Sequence, residues 1–515
     1  MTATAQGVDW FTVGPVVLVA TAALAVLVAD LWLPRRSAGV LTAISVGGTL
    51  AALVVVGLLW GDARATFCLD GDGALESCSY VVNQLTLVFQ AVVLVGTVVV
   101  LLLAHAEIGQ GEPRLPDDSV SPERRRLPGG ETGFLVLASA TGALLLAAAR
   151  DLATIVVALE VLSLPGFALV GLRRRDARGS EAALTFFLVS VVSIAVMVYG
   201  VSLVYGATGS LHLDRIADAL GDPSNRNSVA TAGVVLTLVG LAFKVGAVPF
   251  HFWVPDTYSG APVVVAAYLS VVSKAAGIVG IVVVVGEGFP SYADVWAPVI
   301  AVIAFATMTL GNVAALRQRR AVRLLAWSSI AQSGYMLVPL GVASSGVGGG
   351  RFGEALSAVV AYVCVYAVVN LAAFGVVAVV SRQRPAGAID DYRGLAYTEP
   401  ASAAALAFGL LALAGLPPGI AGLWAKVVVI DSAVSGGAGW LAVAVAVNTV
   451  IALAYYLRWA AVLFAAPAPG RPALSYEIPA ASGLAVGLVL AAGVAFSVLP
   501  QLVLGLADAS AGLLG

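Results

Sequence analysis

The feature that most constrains this chain is a series of apolar segments, each about as long as a membrane-crossing helix. A helix needs about 20 apolar residues to cross the hydrocarbon of a bilayer, and fourteen such segments follow one another along the sequence. They cover residues 11–33, 39–60, 81–104, 132–149, 152–171, 181–206, 228–248, 261–286, 295–315, 324–341, 355–381, 400–430, 439–464 and 481–503. Their length predicts an all-α, polytopic membrane protein with about 14 transmembrane helices, because the strands of a membrane barrel are only about ten residues long.

The composition excludes a soluble globular protein. Of the 515 residues, 60% are hydrophobic and 11% are charged, whereas soluble proteins carry about 25% charged residues. A chain this long and this apolar cannot hide its surface from water, so its solvent must be lipid. The net charge of -2 and the absence of a basic patch outside the loops give no sign of a nucleic-acid partner.

Arginine is distributed unevenly between the loops on the two sides. Cytoplasmic loops gather Lys and Arg, and the side reached after the first span is much the richer. Its loops hold Arg35, Arg36, Arg114, Arg124, Arg125, Arg126, Arg173, Arg174, Arg175, Arg178, Arg317, Arg319, Arg320, Arg323, Arg382, Arg384, Arg393 and Arg471. The loops of the other side hold Arg64, Arg150, Arg215, Arg226 and Arg351. This bias predicts that both termini lie outside, and it supports the number of spans.

Lysine has the opposite distribution. The only lysines of the chain are Lys244, Lys274 and Lys426, and all three lie within apolar spans. A lysine near the bilayer centre costs about 2.5–3.5 kcal/mol on insertion scales. Arginine stays protonated in proteins, whereas a buried lysine readily loses its proton, so a site that loads and releases protons needs lysine. A structural ion pair is the alternative for any one of them, but three together favour proton transfer.

One carboxylate lies well inside a span. It is Glu160, in the segment DLATIVVALEVLSLPG. A carboxylate at that depth stays neutral or pairs with a cation, and we expect Lys244 to be its partner. Such a pair is a switch, because an ionised Glu160 nearby stabilises the ammonium and its withdrawal favours release of the proton.

Glycine and proline interrupt two of the spans. Span seven reads GLAFKVGAVPFHFWVPD, with Gly246 and Pro249 just after Lys244, and span twelve reads GLPPGIAGLWAKVVVI, with a Pro-Pro pair before Lys426. Breaks in lipid persist only where protein or water satisfies the freed backbone groups. One such break is more often a packing kink, but two breaks, each beside a lysine, point to a transport site.

The order of the spans predicts an inverted repeat. Spans four to eight form one block of five and spans nine to thirteen another, and the broken span is the fourth in each. Because five is odd, the second block must enter the membrane from the opposite face. The predicted units are an N-terminal three-helix segment with an inside loop (1–131), two five-helix inverted repeats (132–290 and 291–466) and a C-terminal helix (467–515).

The residues around the first break resemble a known signature. KVGAVPFHFWVPDTYSGAP followed by LSVVSKAAG is similar to subunit N of bacterial respiratory complex I, the proton-pumping NADH:quinone oxidoreductase. RRAVRLLAWSSIAQSGYML, YAVVNLAAFGVV and GLPPGIAGLWAKVVV resemble spans ten, eleven and twelve of that family. The sister subunits L and M are similar here. M typically has Glu at the position of Lys426 and L carries extra C-terminal helices, so the resemblance favours N.

The resemblance implies roles for the buried charged residues. Glu160 and Lys244 resemble the ion pair of the first half-channel, Lys274 and His251 the central relay, and Lys426 the proton-carrying residue of the second half-channel. For His251 two interpretations stay open, because a lone histidine is often a packing or capping residue, while an imidazole with its ordinary pKa near 6.5 also suits a relay.

Polar residues of spans ten and eleven are further candidates for a proton path. Many family members have His where Gln332 stands, and since Gln carries no proton at neutral pH, a relay there must use water or Tyr335. Tyr362, Tyr366 and Asn370 repeat every four residues. They either line a hydrated path or simply hydrogen-bond to neighbouring helices.

The sequence itself offers no cofactor site. It has no metal constellation, P-loop, dinucleotide fingerprint or nucleophile triad. By the resemblance, quinone, NADH, FMN and iron–sulfur clusters are expected in other subunits. Cys68 and Cys78 share an outside loop, where they form either a disulfide or two free thiols.

The predicted function is proton translocation by one subunit of a translocase, coupled to quinone reduction elsewhere in the complex. The resemblance implies the bacterial plasma (inner) membrane, lipid contacts, and as partners the antiporter-like subunit M and small subunits such as K. A subunit of a multi-subunit cation/proton antiporter is the nearest alternative, since it shares the same physics. A stand-alone transporter would need a substrate pocket for which no residues are found, and a non-transporting membrane scaffold would tolerate loss of the lysines.

Overall fold

The computed structural model of the chain is almost entirely helical. It describes residues 7–33, 38–69, 77–109, 127–173, 176–343, 350–384, 387–467 and 478–511. The α-helices are α1 (Gly14–Trp32), α2 (Ala38–Leu58), α3 (Gln84–Gly109), α4 (Gly129–Ala148), α5 (Leu152–Val170), α6 (Ala177–Thr208), α7 (Leu213–Gly221), α8 (Ser228–Val245), α9 (Trp253–Gly260), α10 (Val263–Tyr268), α11 (Lys274–Val283), α12 (Ala293–Leu316), α13 (Ala321–Gly341), α14 (Gly350–Ser381), α15 (Leu395–Thr398), α16 (Pro400–Ala414), α17 (Ala421–Ser435), α18 (Gly439–Phe464), α19 (Ala480–Val498) and α20 (Gln501–Ala511).

Twelve helical segments of the described residues are long and apolar enough to cross a membrane. Each of them coincides with a predicted span. The remaining two predicted spans are also helical, but neither contains a helix that is both long and apolar enough to be counted among the twelve. Span ten is α13, whose polar side chains at positions 328, 329, 332 and 333 are buried in protein and need not meet lipid. Span twelve is divided into α16 and α17, and α8 of span seven ends at Val245, directly before Gly246, with α9 following, so both predicted breaks are confirmed.

The protein core lies around span eight and α14. Within the most apolar stretch of Val263–Gly288, and likewise of α14, 94% of the residues are buried, against 28% for α1, α2 and α19. Span eight is not a uniform α-helix, because π-helical turns cover Leu269–Ser273 and Val284–Gly288. Such turns are frequent at functional sites, and the first of them ends directly before Lys274.

A β-hairpin departs from the predicted all-α fold. Strands β1 (Arg64–Leu69) and β2 (Ser77–Val82) pair antiparallel and place Cys68 opposite Cys78. The two cysteines form a disulfide, which resolves the alternative that the sequence left open. The hairpin is fixed to the helices through Arg150, whose backbone N–H donates to the carbonyl of Ser79 at 2.9 Å.

Two predictions are not tested by the structure. Which side of the membrane the termini face stays a prediction, as do the four predicted units of the chain. Many of the arginines that set the predicted orientation lie outside the described residues, namely those at positions 35, 36, 114, 124, 125, 126, 174, 175 and 471.

Candidate functional site

Lys244 lies in the last turn of α8 and its side chain is buried. Its amine donates to Ser163 Oγ on α5 at 2.9 Å. Glu160 lies one helical turn before Ser163 and is half-buried. Among the described residues, no carboxylate lies within 4.0 Å of the Lys244 amine. In this conformation Lys244 therefore contacts Ser163 and not Glu160, which was expected to be its partner.

The side chain of Lys244 passes over Gly277 of α11. A Cβ at position 277 would lie 3.2 Å from Lys244 Cγ and 2.8 Å from a methyl of Val245. Gly277 is one turn beyond Lys274 on the same helix. The missing side chain thus lets α8 and α11 approach closely where the first two lysines leave their helices.

Lys274 occupies the end of the first broken helix. α8 stops at Val245 because Gly246 takes a left-handed conformation (φ +71) that glycine adopts without steric cost. The Lys274 amine donates to the Val245 carbonyl at 3.0 Å, to the Ser329 carbonyl at 2.8 Å and to the Ser333 hydroxyl. All three N–H groups of the ammonium thus have acceptors, and the negative end of the α8 dipole faces the cation.

Lys426 occupies the end of the second broken helix. α16 stops at Ala414, and the glycine that follows is left-handed (φ +87). Lys426 reaches back from α17 and donates to the carbonyls of Leu413 at 2.9 Å and Ala414 at 3.0 Å. α17 can lie this close only because Gly422 has no side chain, since a Cβ there would lie 1.7 Å from the Ala412 carbonyl oxygen.

The two breaks therefore share one chemical arrangement. In each, carbonyls freed at a helix C-terminus accept hydrogen bonds from a buried lysine, which is how interrupted membrane helices satisfy their ends and hold cations. In the first break this lysine is Lys274, from the following span, and not Lys244. The break follows Lys244 but precedes Lys426, so these two lysines lie on opposite sides of their interruptions.

Hydrogen bonds from α13 and α14 continue from the Lys274 site. Ser329, whose carbonyl accepts from Lys274, contacts the Tyr366 hydroxyl through its own hydroxyl at 2.9 Å. Tyr366 donates to the Ser270 carbonyl at 3.1 Å, and Asn370 donates to the Ser270 hydroxyl at 2.7 Å. Two of the path-lining candidates, Tyr366 and Asn370, thus lie in one buried network with Lys274.

Gln332 joins two further phenols. Its Oε1 accepts from Tyr362 at 2.5 Å and its Nε2 donates to Tyr456 at 3.3 Å. The Tyr456 hydroxyl also contacts Ser328. The amide orients both phenols but carries no proton itself, so it interrupts a chain of groups that could otherwise pass one on.

A small cavity connects this network to Lys426. Its volume is about 10 Å³, and it is lined by Gln332, Tyr362, Tyr366 and Lys426 together with apolar residues. That space is roughly enough for one water molecule. The cavity therefore leaves room for one water molecule beside Gln332.

Tyr335, the alternative to water as a relay beside Gln332, contacts a different helix through its hydroxyl. Its hydroxyl accepts from Asn312 Nδ2 on α12 at 3.2 Å and contacts neither Gln332 nor Lys426. Its ring lies 5.6 Å from the Lys426 amine and 5.9 Å from the Tyr362 ring, between centroids in the second case. Tyr335 thus faces Lys426 with the ring and not with the hydroxyl.

His251 lies apart from the three lysines. It is in the turn between α8 and α9, half-buried, with its ring 5.6 Å from that of Trp327. Its Nδ1 is buried without a hydrogen-bond partner. No contact of the described residues joins it to Lys244, Lys274 or Lys426.

The arrangement can hold and pass protons between buried amines. Three lysines lie in membrane spans, two of them on helix ends, with phenols, hydroxyls and a water-sized cavity between them. Within the described part of the chain, no group of three or more His, Cys, Asp or Glu side chains could hold a metal ion.

Comparison with known proteins gives a consistent family. Residues 149–452 match a family model described as NADH:quinone oxidoreductase/Mrp antiporter, TM. The chain is 52% identical to NADH-quinone oxidoreductase subunit N 2 of Streptomyces griseus subsp. griseus, over 98% of this chain and 94% of that protein. The match to this relative covers both breaks and all three lysine positions.

Two solved structures have similar folds. A chain of respiratory complex I from Thermus thermophilus matches with a TM-score of 0.75 and 29% identity, over 95% of this chain and 98% of that one. A chain of the Mrp complex from Dietzia sp. matches with a TM-score of 0.81 and 21% identity, over 98% and 97%. The second likeness is one of fold alone. With the twelve apolar spans, these matches make the chain a multi-pass membrane protein.

Proposed function

This chain belongs to the NADH-quinone oxidoreductase subunit N family, and from that premise we propose that it moves protons across the membrane while quinone is reduced elsewhere in the complex. The observation that carries the proposal is the pair of lysine amines on interrupted helix ends. Each amine is buried, and neither has a carboxylate within 4.0 Å among the described residues. A lysine that stayed protonated for a structural purpose at this depth would need a carboxylate beside it, because an unpaired buried charge is strongly destabilising.

The proposed path begins at Glu160 and Lys244. When Glu160 moves towards Lys244 it replaces Ser163 as the partner and holds the ammonium. When it withdraws, the amine keeps only a neutral hydroxyl and its proton is free to leave. The half-exposed position of Glu160, one turn from Ser163, suits a side chain that moves between two partners.

The path then crosses to Lys274 and Lys426. The Lys244 side chain passes Gly277, which lies one turn from Lys274 on α11. From Lys274 the proton passes through hydroxyls of α13 and α14, goes round Gln332 by way of water in the cavity, and reaches Lys426. His251 has no contact with this line, and we place it at the edge of the route, where water would have to connect it.

The surroundings of the subunit follow from the same proposal. NADH, FMN, iron–sulfur clusters and quinone bind to other subunits, and the neighbours in the membrane are the antiporter-like subunit M and small subunits such as K. The arginine bias places both termini on the outer side of the bacterial plasma membrane. Of the four units predicted from the sequence, the two five-helix repeats would then form opposed half-channels. The N-terminal three-helix segment and the C-terminal helix would flank them.

The proposal is tested on the assembled complex in membrane vesicles. We expect Lys244→Ala and Lys426→Ala to lose the proton pumping that is coupled to quinone reduction, while the complex still assembles, since alanine carries no proton. Replacement of an exposed residue of a span, such as Val443→Ala, is the matched control. Wild-type pumping by both lysine variants would contradict the proposal and favour a non-transporting scaffold.

A subunit of a multi-subunit cation/proton antiporter is the second candidate. The description of the family model includes the Mrp antiporter, and the chain of the Mrp complex from Dietzia sp. has a similar fold. Copurification separates the two functions. Flavin and iron–sulfur absorbance in the complex purified through a tag on this chain would support the first, and a complex without redox groups that exchanges cations for protons would support the second.

A further inference from the structure

No carboxylate of the described residues lies within 4.0 Å of the Lys426 amine. Besides the two carbonyls of α16, its neighbour is the face of the Tyr335 ring, 5.6 Å from ring centroid to Nζ. Lys426 is 2% exposed and Tyr335 fully buried. An aromatic face attracts a cation through the ring quadrupole, and the attraction is strongest where water is excluded.

The Tyr335 hydroxyl is held by Asn312, which is held in turn by Asn448 and Tyr455, and we call these three residues the amide cluster. Asn312 Nδ2 donates to the Tyr335 hydroxyl at 3.2 Å and to Asn448 Oδ1 at 3.1 Å, and Asn312 Oδ1 accepts from Tyr455 at 3.0 Å. All three are buried. The cluster joins α12, α13 and α18, so it fixes the ring relative to three helices.

We infer that the amide cluster is a positioning device that presents the Tyr335 ring to Lys426 as a cation–π partner, and that this ring stabilises the protonated state of the lysine during each cycle. The inference rests on the proposed function, in which Lys426 gains and loses a proton. Tyr335 then acts as a cation–π partner and not as a relay. Asn312 acts as a positioning residue, which its place in an apolar span did not suggest.

The titratable groups around Lys426 do not balance its charge, which leaves the Tyr335 ring as the group that stabilises the ammonium. The titratable groups that face the site are all tyrosines, Tyr335 from α13, Tyr362 and Tyr366 from α14, and, behind the ring, Tyr455 and Tyr456 from α18. α16 and α19 contain no titratable residue. The only other charged residue of α17 is Asp431, which is exposed.

Graded fluorination of the ring tests the inference. Tyrosine and its mono-, di- and trifluorinated analogues, all of which keep the hydroxyl that Asn312 holds, are introduced at position 335 by nonsense suppression, and proton pumping by the assembled complex is measured. Fluorine withdraws charge from the ring face, so we expect pumping to fall stepwise along the series, to a total of about tenfold. The same series at Phe464, an exposed position in a span, is the control. A flat response at position 335 would overturn the inference.

A double-mutant cycle tests the positioning. Asn312→Leu and Tyr335→Leu should each lower pumping, and the double variant should be no worse than Tyr335→Leu alone, because the cluster acts only through the ring. Additive losses would refute this coupling. If Asn312→Leu fails to assemble, Tyr335→Phe, which removes only the hydroxyl that Asn312 holds, tests the positioning alone: it should lower pumping, and wild-type pumping by it would refute the coupling. Should Lys426→Ala pump normally, the proposed function fails, whereas a flat fluorination series with an inactive Lys426→Ala refutes only the part of the ring.

Discussion

Lys274 donates a hydrogen bond of 3.0 Å to the carbonyl oxygen of Val245, the last residue of an interrupted membrane helix. The bond links the charge of one span to the end of its neighbour. Loss of the proton would remove a cation from the negative end of α8 and leave its carbonyls with fewer donors. The break and the protonation state of Lys274 are therefore coupled, and Lys426 is coupled to the end of α16 in the same way.

Gly277→Ala tests the close passage of the first two lysines. The new methyl would meet Lys244 Cγ and a Val245 methyl at 3.2 and 2.8 Å, so we expect overpacking that costs about 1–3 kcal/mol of stability and slower proton pumping. Gly487→Ala is a matched control, because nothing lies within 4 Å of its added Cβ. Equal thermal stability and equal pumping in the two variants would contradict the packing described.

Ser163→Ala tests the exchange of partners at Lys244. Without the hydroxyl, the amine loses the one acceptor seen in the structure, which for a charged donor is worth about 1.5–3 kcal/mol. We expect pumping to fall because the lysine then depends on Glu160 throughout the cycle. Ser163→Thr keeps the hydroxyl and should retain pumping. If alanine and threonine behave alike, Ser163 has no part in the switch.

Gln332→Leu tests the orientation of the phenols. The change leaves the Tyr362 hydroxyl without its acceptor, while Tyr456 keeps its contact with Ser328. A buried unsatisfied group costs about 1–3 kcal/mol. We expect slower pumping. Gln332→His can still contact both hydroxyls and should preserve it. Normal pumping by the leucine variant, measured by dye quenching in vesicles, would show that the order of this network is dispensable.

Much of this arrangement could be predicted from the sequence, and the exceptions have physical reasons. The spans, both breaks and the burial of all three lysines follow from hydropathy and from Gly and Pro, which are local signals. The acceptors of Lys274 and Lys426 are largely backbone carbonyls, which every residue has, so no side-chain pattern marks them. The place of Ser163 depends on the rotation of α5 against α8, which hydropathy does not fix.

Other features depend on tertiary packing and could not be predicted. The sequence left water or Tyr335 as the relay beside Gln332, and the contact of the Tyr335 hydroxyl with Asn312 follows from the way α12 packs against α13. The hairpin was missed because its strands are short and lie between long apolar runs. The polar residues of α13 at positions 328, 329 and 333 carried a signal that could have been used, since they lie beside Gln332 in an otherwise apolar span.

The disulfide of the hairpin gives a test of orientation. The arginine bias predicts that Cys68 and Cys78 lie outside, and the only other cysteine, Cys364, is buried. We expect an impermeant maleimide to label right-side-out vesicles after mild reduction, and to label inside-out vesicles hardly at all. The Cys68→Ser/Cys78→Ser double variant should lose the label. Labelling confined to inside-out vesicles would reverse the predicted topology.

The most direct measurement is proton pumping by the Lys426→Arg complex, compared with the wild type and with Lys426→Ala at equal amounts of assembled complex. Arginine keeps the positive charge but does not release its proton. We predict that Lys426→Arg pumps no better than Lys426→Ala, because the site needs an amine that titrates. Pumping at the wild-type rate by the arginine variant would show that a fixed charge is enough, and would contradict proton transfer through this lysine.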